Sequence, residues 1–280
     1  MTSILTAPFE EIIAYKIKQI AQQQVVTPLD SLRALAKMQD RPRDVSSHIR
    51  VNRVALLADL QNPTVQAGDS DGDDPGYDPV ALARRLIRQG AQGLVIATDK
   101  RYYGGGVVHL TLVSNAVDVP VVRRDYILDE YQVVETRAAG ADGLLITAPV
   151  VNPNTLRRLV SATQRNLMTA VVEVHSADEL EAVLPLEPRV IAINNRHPIT
   201  REIDLSLTPR LVERVPGHIT VVTMGGLQTP YDVARVASGV DGVLVPQDML
   251  LDPERAAALR HILGISDDSI IPNTEPPPLE

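Results

Sequence analysis

Two kinds of apolar pattern alternate along this chain. One is a short, nearly continuous run of Val, Ile, Leu and Ala. Eight such runs occur: VALLADL (54–60), GLVIAT (93–98), VPVVRRD (119–125), GLLITA (143–148), AVVEVH (170–175), VIAINN (190–195), ITVVTMG (219–225) and GVLVPQ (242–247). The other is a longer, mixed segment such as DPVALARRLIRQG or ADELEAVL, whose apolar residues recur at spacings of three and four. Continuous apolar runs read as strands buried on both faces, and the second spacing reads as amphipathic helix. Each run leads through a polar turn, often with Gly or Pro, into a helical segment. Repeated strand–helix units imply parallel strands joined by right-handed crossovers, and eight of them close into a barrel. The predicted fold class is α/β, a single (β/α)8 TIM barrel with extra N-terminal helices, at about residues 8–24 and 28–38, ahead of the first strand. Residues 1–50 form the expected helical extension, 51–265 the barrel, and 266–280 a Pro-rich tail with the composition of a disordered end.

Composition narrows the partners. With 35 acidic against 27 basic residues the 280-residue chain carries a net charge of −8, and it has no dense Lys/Arg block, so neither nucleic acid nor an anionic membrane is an expected partner. The absence of cysteine excludes disulfides, thiolate metal sites and cysteine nucleophiles. The opening MTSILTAPFEEIIAYKIKQ interrupts its apolar residues with Glu10, Glu11 and Lys16, so it reads as neither a signal peptide nor a membrane span, and a cytoplasmic protein is expected. The acidic stretch Asp69 to Pro79 places Asp69, Asp71 and Asp73 at alternate positions, as a calcium loop does. Asp74 stands where that loop needs glycine and Val80 where it needs a terminal Glu, so a solvated loop is the better reading. Six scattered histidines suggest no metal site, and no cofactor is expected.

In such a barrel the chemistry sits at the C-terminal ends of the strands. The residues there are Asp59 and Gln61, Tyr102 and Tyr103, Arg124 and Tyr126, Glu173 and His175, Asn194 and Arg196, Met224 with Gly225 and Gly226, and Pro246 with Gln247, a polar ring. Alternation along the fifth strand points Glu173 the same way as Val171 and His175, and a carboxylate facing the helices is costly, so Glu173 is assigned to the barrel mouth. His175 is expected to cap the following helix, with a catalytic base as the alternative. Plainer readings stand beside several others: Asn194 as a loop cap, Arg196 paired with Glu202 or Asp204, and Tyr102 and Tyr103 as packing beside Gly104, Gly105 and Gly106.

From about Ala7 to Gly264 the chain resembles the indole-3-glycerol phosphate synthase family. The pieces that carry the likeness include DPVALARRLIRQGAQGLVIATDKRYYGGG, VPVVRRDYILDEYQVVETRAAGADGLLI, AVVEVHSADELEAVL, VIAINNRHPITREIDL and GVDGVLVPQDML, in the family's order. That family closes the indole ring of a carboxyphenylamino-deoxyribulose phosphate with decarboxylation and dehydration. The reaction calls for a proton donor, a carboxylate and a phosphate anchor. The resemblance implies catalytic roles for Glu173, Asp59, Arg124 and Asn194, and substrate contacts for Gln61, Thr64, Tyr103, Tyr126, Arg196, Gly225 and Gly226. Several of these depart from the family pattern. Its E-V-K after the first strand is Asp59, Leu60, Gln61 here, and its R-K-D-F at the third is Arg123, Arg124, Asp125, Tyr126, so both lysines are replaced. Arginine binds carboxylates well but holds its proton too tightly to be an acid. On the phosphate side a serine becomes Thr64, followed by Val65 and Gln66; E-S-G becomes Thr223, Met224, Gly225; and Pro246, which has no N–H, and Gln247 replace a glycine and small hydroxyl residues. The expected function is therefore a divergent barrel of this family with lost or strongly reduced synthase activity, kept as a binding or assembly module for a small anionic molecule or a protein partner. A working synthase and a changed reaction on a related carboxylate or phosphate are the alternatives, the first requiring a substitute donor such as Lys100.

Overall fold

A computed structural model of the chain describes residues 9–51, 54–63, 76–198 and 200–266. The eight strands are β1 (Ala55–Leu60), β2 (Gly93–Ala97), β3 (Val121–Arg124), β4 (Gly143–Thr147), β5 (Thr169–Val174), β6 (Val190–Asn194), β7 (Thr220–Met224) and β8 (Gly242–Pro246). They pair in parallel, in sequence order, and β8 closes back onto β1. The helices are α1 (Phe9–Val26), α2 (Leu29–Met38), α3 (Val45–Ile49), α4 (Pro79–Arg88), α5 (Lys100–Tyr103), α6 (Val107–Ser114), α7 (Glu130–Ala138), α8 (Pro153–Arg165), α9 (Ala177–Val183), α10 (Leu207–Val212), α11 (Pro230–Val236), α12 (Gln247–Leu251) and α13 (Pro253–Leu263). This is the (β/α)8 barrel that the alternation of runs implied. Among the described residues no helix is long and apolar enough to cross a membrane.

Strand alternation divides the core in two. Leu57, Val95, Val122, Leu145, Val171, Ala192, Val222 and Leu244 fill the barrel interior, whereas their neighbours Leu56, Ile96, Val121, Leu144, Val172, Ile193, Val221 and Val243 pack outward against the helices. Helix α3, which the sequence pattern did not reveal, belongs to the interior set: its Val45 and Ile49 cover the bottom of the barrel, and Ser46 Oγ lies 2.7 Å from Thr220 Oγ1 on β7. The bottom is thus closed by packing, and the polar ring is left at the top.

Helix α1 is held against the outer wall by specific polar contacts, and α2 packs beside it through Leu32, which clusters with Ile20 and Tyr131. Buried Lys16 of α1 forms ion pairs with Asp99 and, at 2.7 Å, with Asp125. The Tyr131 hydroxyl on α7 donates to the carbonyl oxygens of Gln23 (3.1 Å) and Thr27 (2.9 Å). Asp125 also accepts from Arg123, and Arg123 reaches Glu135 of α7 at 2.8 Å. Burial opposes charge throughout this cluster, yet Lys16 and Arg123 hold the Asp125 carboxylate down at about 2.

Candidate functional site

The adjacent arginines of β3 part company because side chains on a strand alternate. Arg123 follows outward-facing Val121 into the buried cluster just described. Arg124 follows inward-facing Val122 and emerges in the barrel mouth. There its Nε and Nη2 donate to the two oxygens of Asp59, at 2.9 and 3.0 Å, a bidentate pair, and Nη2 lies 3.4 Å from Gln61 Oε1. Its guanidinium also sits 4.4 Å from the centre of the Tyr103 ring. Burial disfavours the charged guanidinium, but the attraction of Asp59 outweighs it, so Arg124 is raised above even the ordinary arginine range.

Across the mouth, Glu173 continues the inward face of β5. Its register partner on β4 is Thr147, whose hydroxyl donates to Oε2 at 2.7 Å. Asn194, at the end of β6, donates from Nδ2 to Oε1 at 2.5 Å, and its Oδ1 accepts from the Arg196 backbone N–H at 3.0 Å. The third partner is His175, whose Nε2 lies 2.9 Å from Glu173 Oε1 while Nδ1 lies 3.2 Å from Glu179 on α9. Burial pushes Glu173 up, but the His175 contact and the Asn194 and Thr147 donors prevail and hold it at about 2. His175 is lowered by burial and raised more strongly by hydrogen bonds to Glu173 and Glu179, to about 9. At neutral pH the mouth therefore presents a fixed carboxylate backed by an imidazolium. The expected cap role of His175 is corrected: Ser176 caps α9, accepting from the Glu179 N–H, and the His175 ring clamps two carboxylates instead.

Two adjoining cavities of about 180 and 110 Å³ open between these groups. The larger is lined by Asp59, Gln61, Gly225, Gly226 and Pro246, the smaller by Tyr126, Thr147 and Glu173, and both by Tyr103, Arg124, Asn194, Arg196, Arg201 and Met224. The structure thus gathers Asp59, Gln61, Tyr103, Arg124, Tyr126, Glu173, Asn194, Arg196, Gly225 and Gly226 around one mouth. Thr64, the acidic residues 69–75 and the tail from 267 lie outside the described residues. Tyr102 turns away from the mouth, buried against Tyr15 with ring centres 6.1 Å apart. Arg196 pairs with neither Glu202 nor Asp204: Asp204 binds Arg210 at 2.8 Å, and Glu202 accepts from the Thr200 hydroxyl. Lys100 lines a different cavity, with Lys16 and Arg123 on the helix side of the wall, and does not take a lysine's place in the mouth. Gln247 accepts from the Gln61 N–H at 3.0 Å, occupying a backbone donor at the end of β1. Gly225 has a left-handed backbone (φ 73°), and a Cβ there would collide with Asn194 Oδ1. Among the described residues no cluster of three or more His, Asp or Glu side chains could hold a metal ion.

Among the lining residues that escaped the sequence reading are Thr147 and Arg201. Thr147 carried a usable signal, since it follows Leu145 on the inward face of β4. Arg201 carried none, because it lies in the irregular segment beyond β6.

Residues 9–262 match the family model described as indole-3-glycerol phosphate synthase. The chain is 34% identical over 257 residues to an indole-3-glycerol phosphate synthase from a Nocardioides species, covering 91% of this chain and 98% of the relative. It is 32% identical over 263 residues to one from Roseiflexus castenholzii (90% and 97%), and 31% identical over 259 residues to one from Dehalococcoides mccartyi (91% and 99%). Among solved structures, thiamine phosphate pyrophosphorylase from Pyrococcus furiosus is similar at a TM-score of 0.56, with 16% identity over 76% of this chain and 96% of that one, a likeness of fold alone.

Proposed function

Because the chain belongs to the indole-3-glycerol phosphate synthase family, we propose that its barrel mouth binds a small anionic ligand of the kind the family handles, with the synthase reaction lost or strongly reduced. The observation that carries this reading is the state of Arg124. Ring closure followed by loss of carbon dioxide and water needs a group that gives up a proton to the carbonyl and to the departing hydroxyl. The family resemblance puts lysines where Gln61 and Arg124 stand. A guanidinium clamped by both oxygens of Asp59 keeps its proton, and the carboxamide N–H groups of Gln61 are not acidic. Among the described residues, no lysine lines either mouth cavity. A positioned proton donor contributes about 100-fold to 10,000-fold in rate, so losing two removes about four orders of magnitude or more. Binding is better preserved: Glu173 and Asn194 are held in place, and Arg196 faces the opening.

Full-length similarity to proteins named for the synthase, at 31% to 34% identity, favours a second reading: a working lyase of tryptophan biosynthesis with a substitute acid. His175, protonated at neutral pH and 2.9 Å from Glu173, is the acid nearest to that carboxylate. The deciding measurement is indole fluorescence during incubation of the carboxyphenylamino-deoxyribulose phosphate with purified protein, run beside Glu173→Gln to expose contaminating host enzyme. Turnover that vanishes in the variant establishes the synthase. Calorimetric binding without turnover is the expected result, and a failure to bind would leave only a scaffold role.

A further inference from the structure

The segment after β6 folds back on itself. Arg196 and Ile203 form an antiparallel bridge, the His197 N–H donates to the Glu202 carbonyl at 2.9 Å, and the Arg201 N–H donates to the His197 carbonyl at 3.0 Å. Arg201 adopts a left-handed backbone, with φ 64°, which a non-glycine residue rarely holds. The result is that the half-buried Arg201 side chain borders both mouth cavities beside Arg196. Near neutrality each of the other charges in the mouth has an ion-pair partner: Arg124 has Asp59, Glu173 has His175, and Asp125 has Lys16 and Arg123. Among the described residues, neither the Arg196 nor the Arg201 guanidinium has an ion-pair partner. Two forked, permanently charged donors thus face one opening whose remaining wall includes Tyr103, Met224, Leu244 and Pro246. The turns after β7 and β8 offer less to an anion, since Met224 presents a thioether and Pro246 has no N–H.

We infer that Arg196 and Arg201 together grip a small, flat dianion of the aromatic dicarboxylate class, so that the ligand's second negative charge is held from the segment after β6 and not from the β7 and β8 turns. Guanidinium groups bind carboxylates bidentately, which favours two planar anionic groups on one rigid frame over a single charge. This inference rests on the anion-binding reading of the mouth proposed above, and it adds Arg201 as the residue that sets the charge of the ligand.

The test is calorimetric titration of the full chain at low ionic strength and about pH 7 with phthalate, benzoate and inorganic phosphate. Phthalate is expected to bind about 10-fold or more tightly than benzoate, the yield of one further charge-assisted contact. Arg201→Asn keeps a residue that tolerates left-handed backbone while removing the charge; it should bring phthalate down to the benzoate affinity and leave benzoate nearly unchanged. Arg201→Lys should fall between. Thermal melting of each variant checks that the fold is retained. Inorganic phosphate that competes with phthalate and weakens with Arg201→Asn supports the same dianion site. Equal phthalate affinity in wild type and Arg201→Asn overturns the inference while leaving the anion-binding reading intact. Phosphate binding that ignores Arg201, with no phthalate binding, also overturns it. If none of the three probes binds the wild type, both fall together.

Discussion

The clamp on His175 makes the stability of this barrel depend on pH in a defined window. Its ring is 1% exposed and bridges Glu173 and Glu179, and its pKa is raised from 6.5 to about 9. A raised cation stabilises the fold fully below the unfolded value, and that contribution is lost as pH climbs from 6.5 through 9. At about 1.4 kcal/mol per unit, the rise is worth on the order of 3 kcal/mol. The depression of Glu173 from 4.5 to about 2 records the same contact from the other side and is not added to it. It places the acid limit: this contribution is present above 4.5 and disappears as pH falls through 2, so the pair is at full strength between about 4.5 and 6.5. The assay is urea denaturation followed by circular dichroism at about pH 6 and pH 9.5, for wild type and His175→Gln. Comparing the two proteins removes the titration of every other group common to both. The stability advantage of wild type should shrink by about 3 kcal/mol between the two pH values. An advantage that stays constant would mean that His175 is neutral in the fold, and the reasoning that Glu173 is held as an ion by an imidazolium would be refuted.

Three further outcomes follow from contacts elsewhere. Lys16→Met leaves the carboxylates of Asp99 and Asp125 buried without their shared partner, and breaking a buried pair costs about 3–5 kcal/mol, to be read as a lowered urea midpoint. Gly225→Ala forces a Cβ onto a left-handed backbone, costing about 1–2 kcal/mol, and pushes Asn194 off Glu173; a melting temperature equal to wild type would contradict it. The triple change Asp59→Glu, Gln61→Lys and Arg124→Lys restores the family's residues at three positions and should raise indole-forming turnover by about 100-fold or more over wild type. Unchanged turnover in a folded triple variant would place the defect elsewhere, at Met224 or Pro246.

How far the amino-acid sequence discloses such a site depends on which contacts are local. Strand limits were legible to within a residue or two because strands buried on both faces are continuous apolar runs between turns. The inward direction of Glu173 followed from alternation with Val171 together with the cost of a carboxylate against the helices, and alternation separates Arg123 from Arg124. Alternation says which face a side chain joins but not which partner it meets there, because that depends on the stagger between strands. Asp59 is level with Val95 on β2, whereas Arg124 is level with Ala97, two residues nearer the mouth. Only a side chain as long as arginine reaches back across β2 to the carboxylate, and no pattern within β1 or β3 encodes that reach. The replacement of lysine by arginine is legible as a change of pKa, but its larger consequence is geometric. Arg124 is spent on Asp59, which leaves the ligand to Arg196 and Arg201, and Arg201 owes its place to a fold-back after β6 that has no periodicity to announce it.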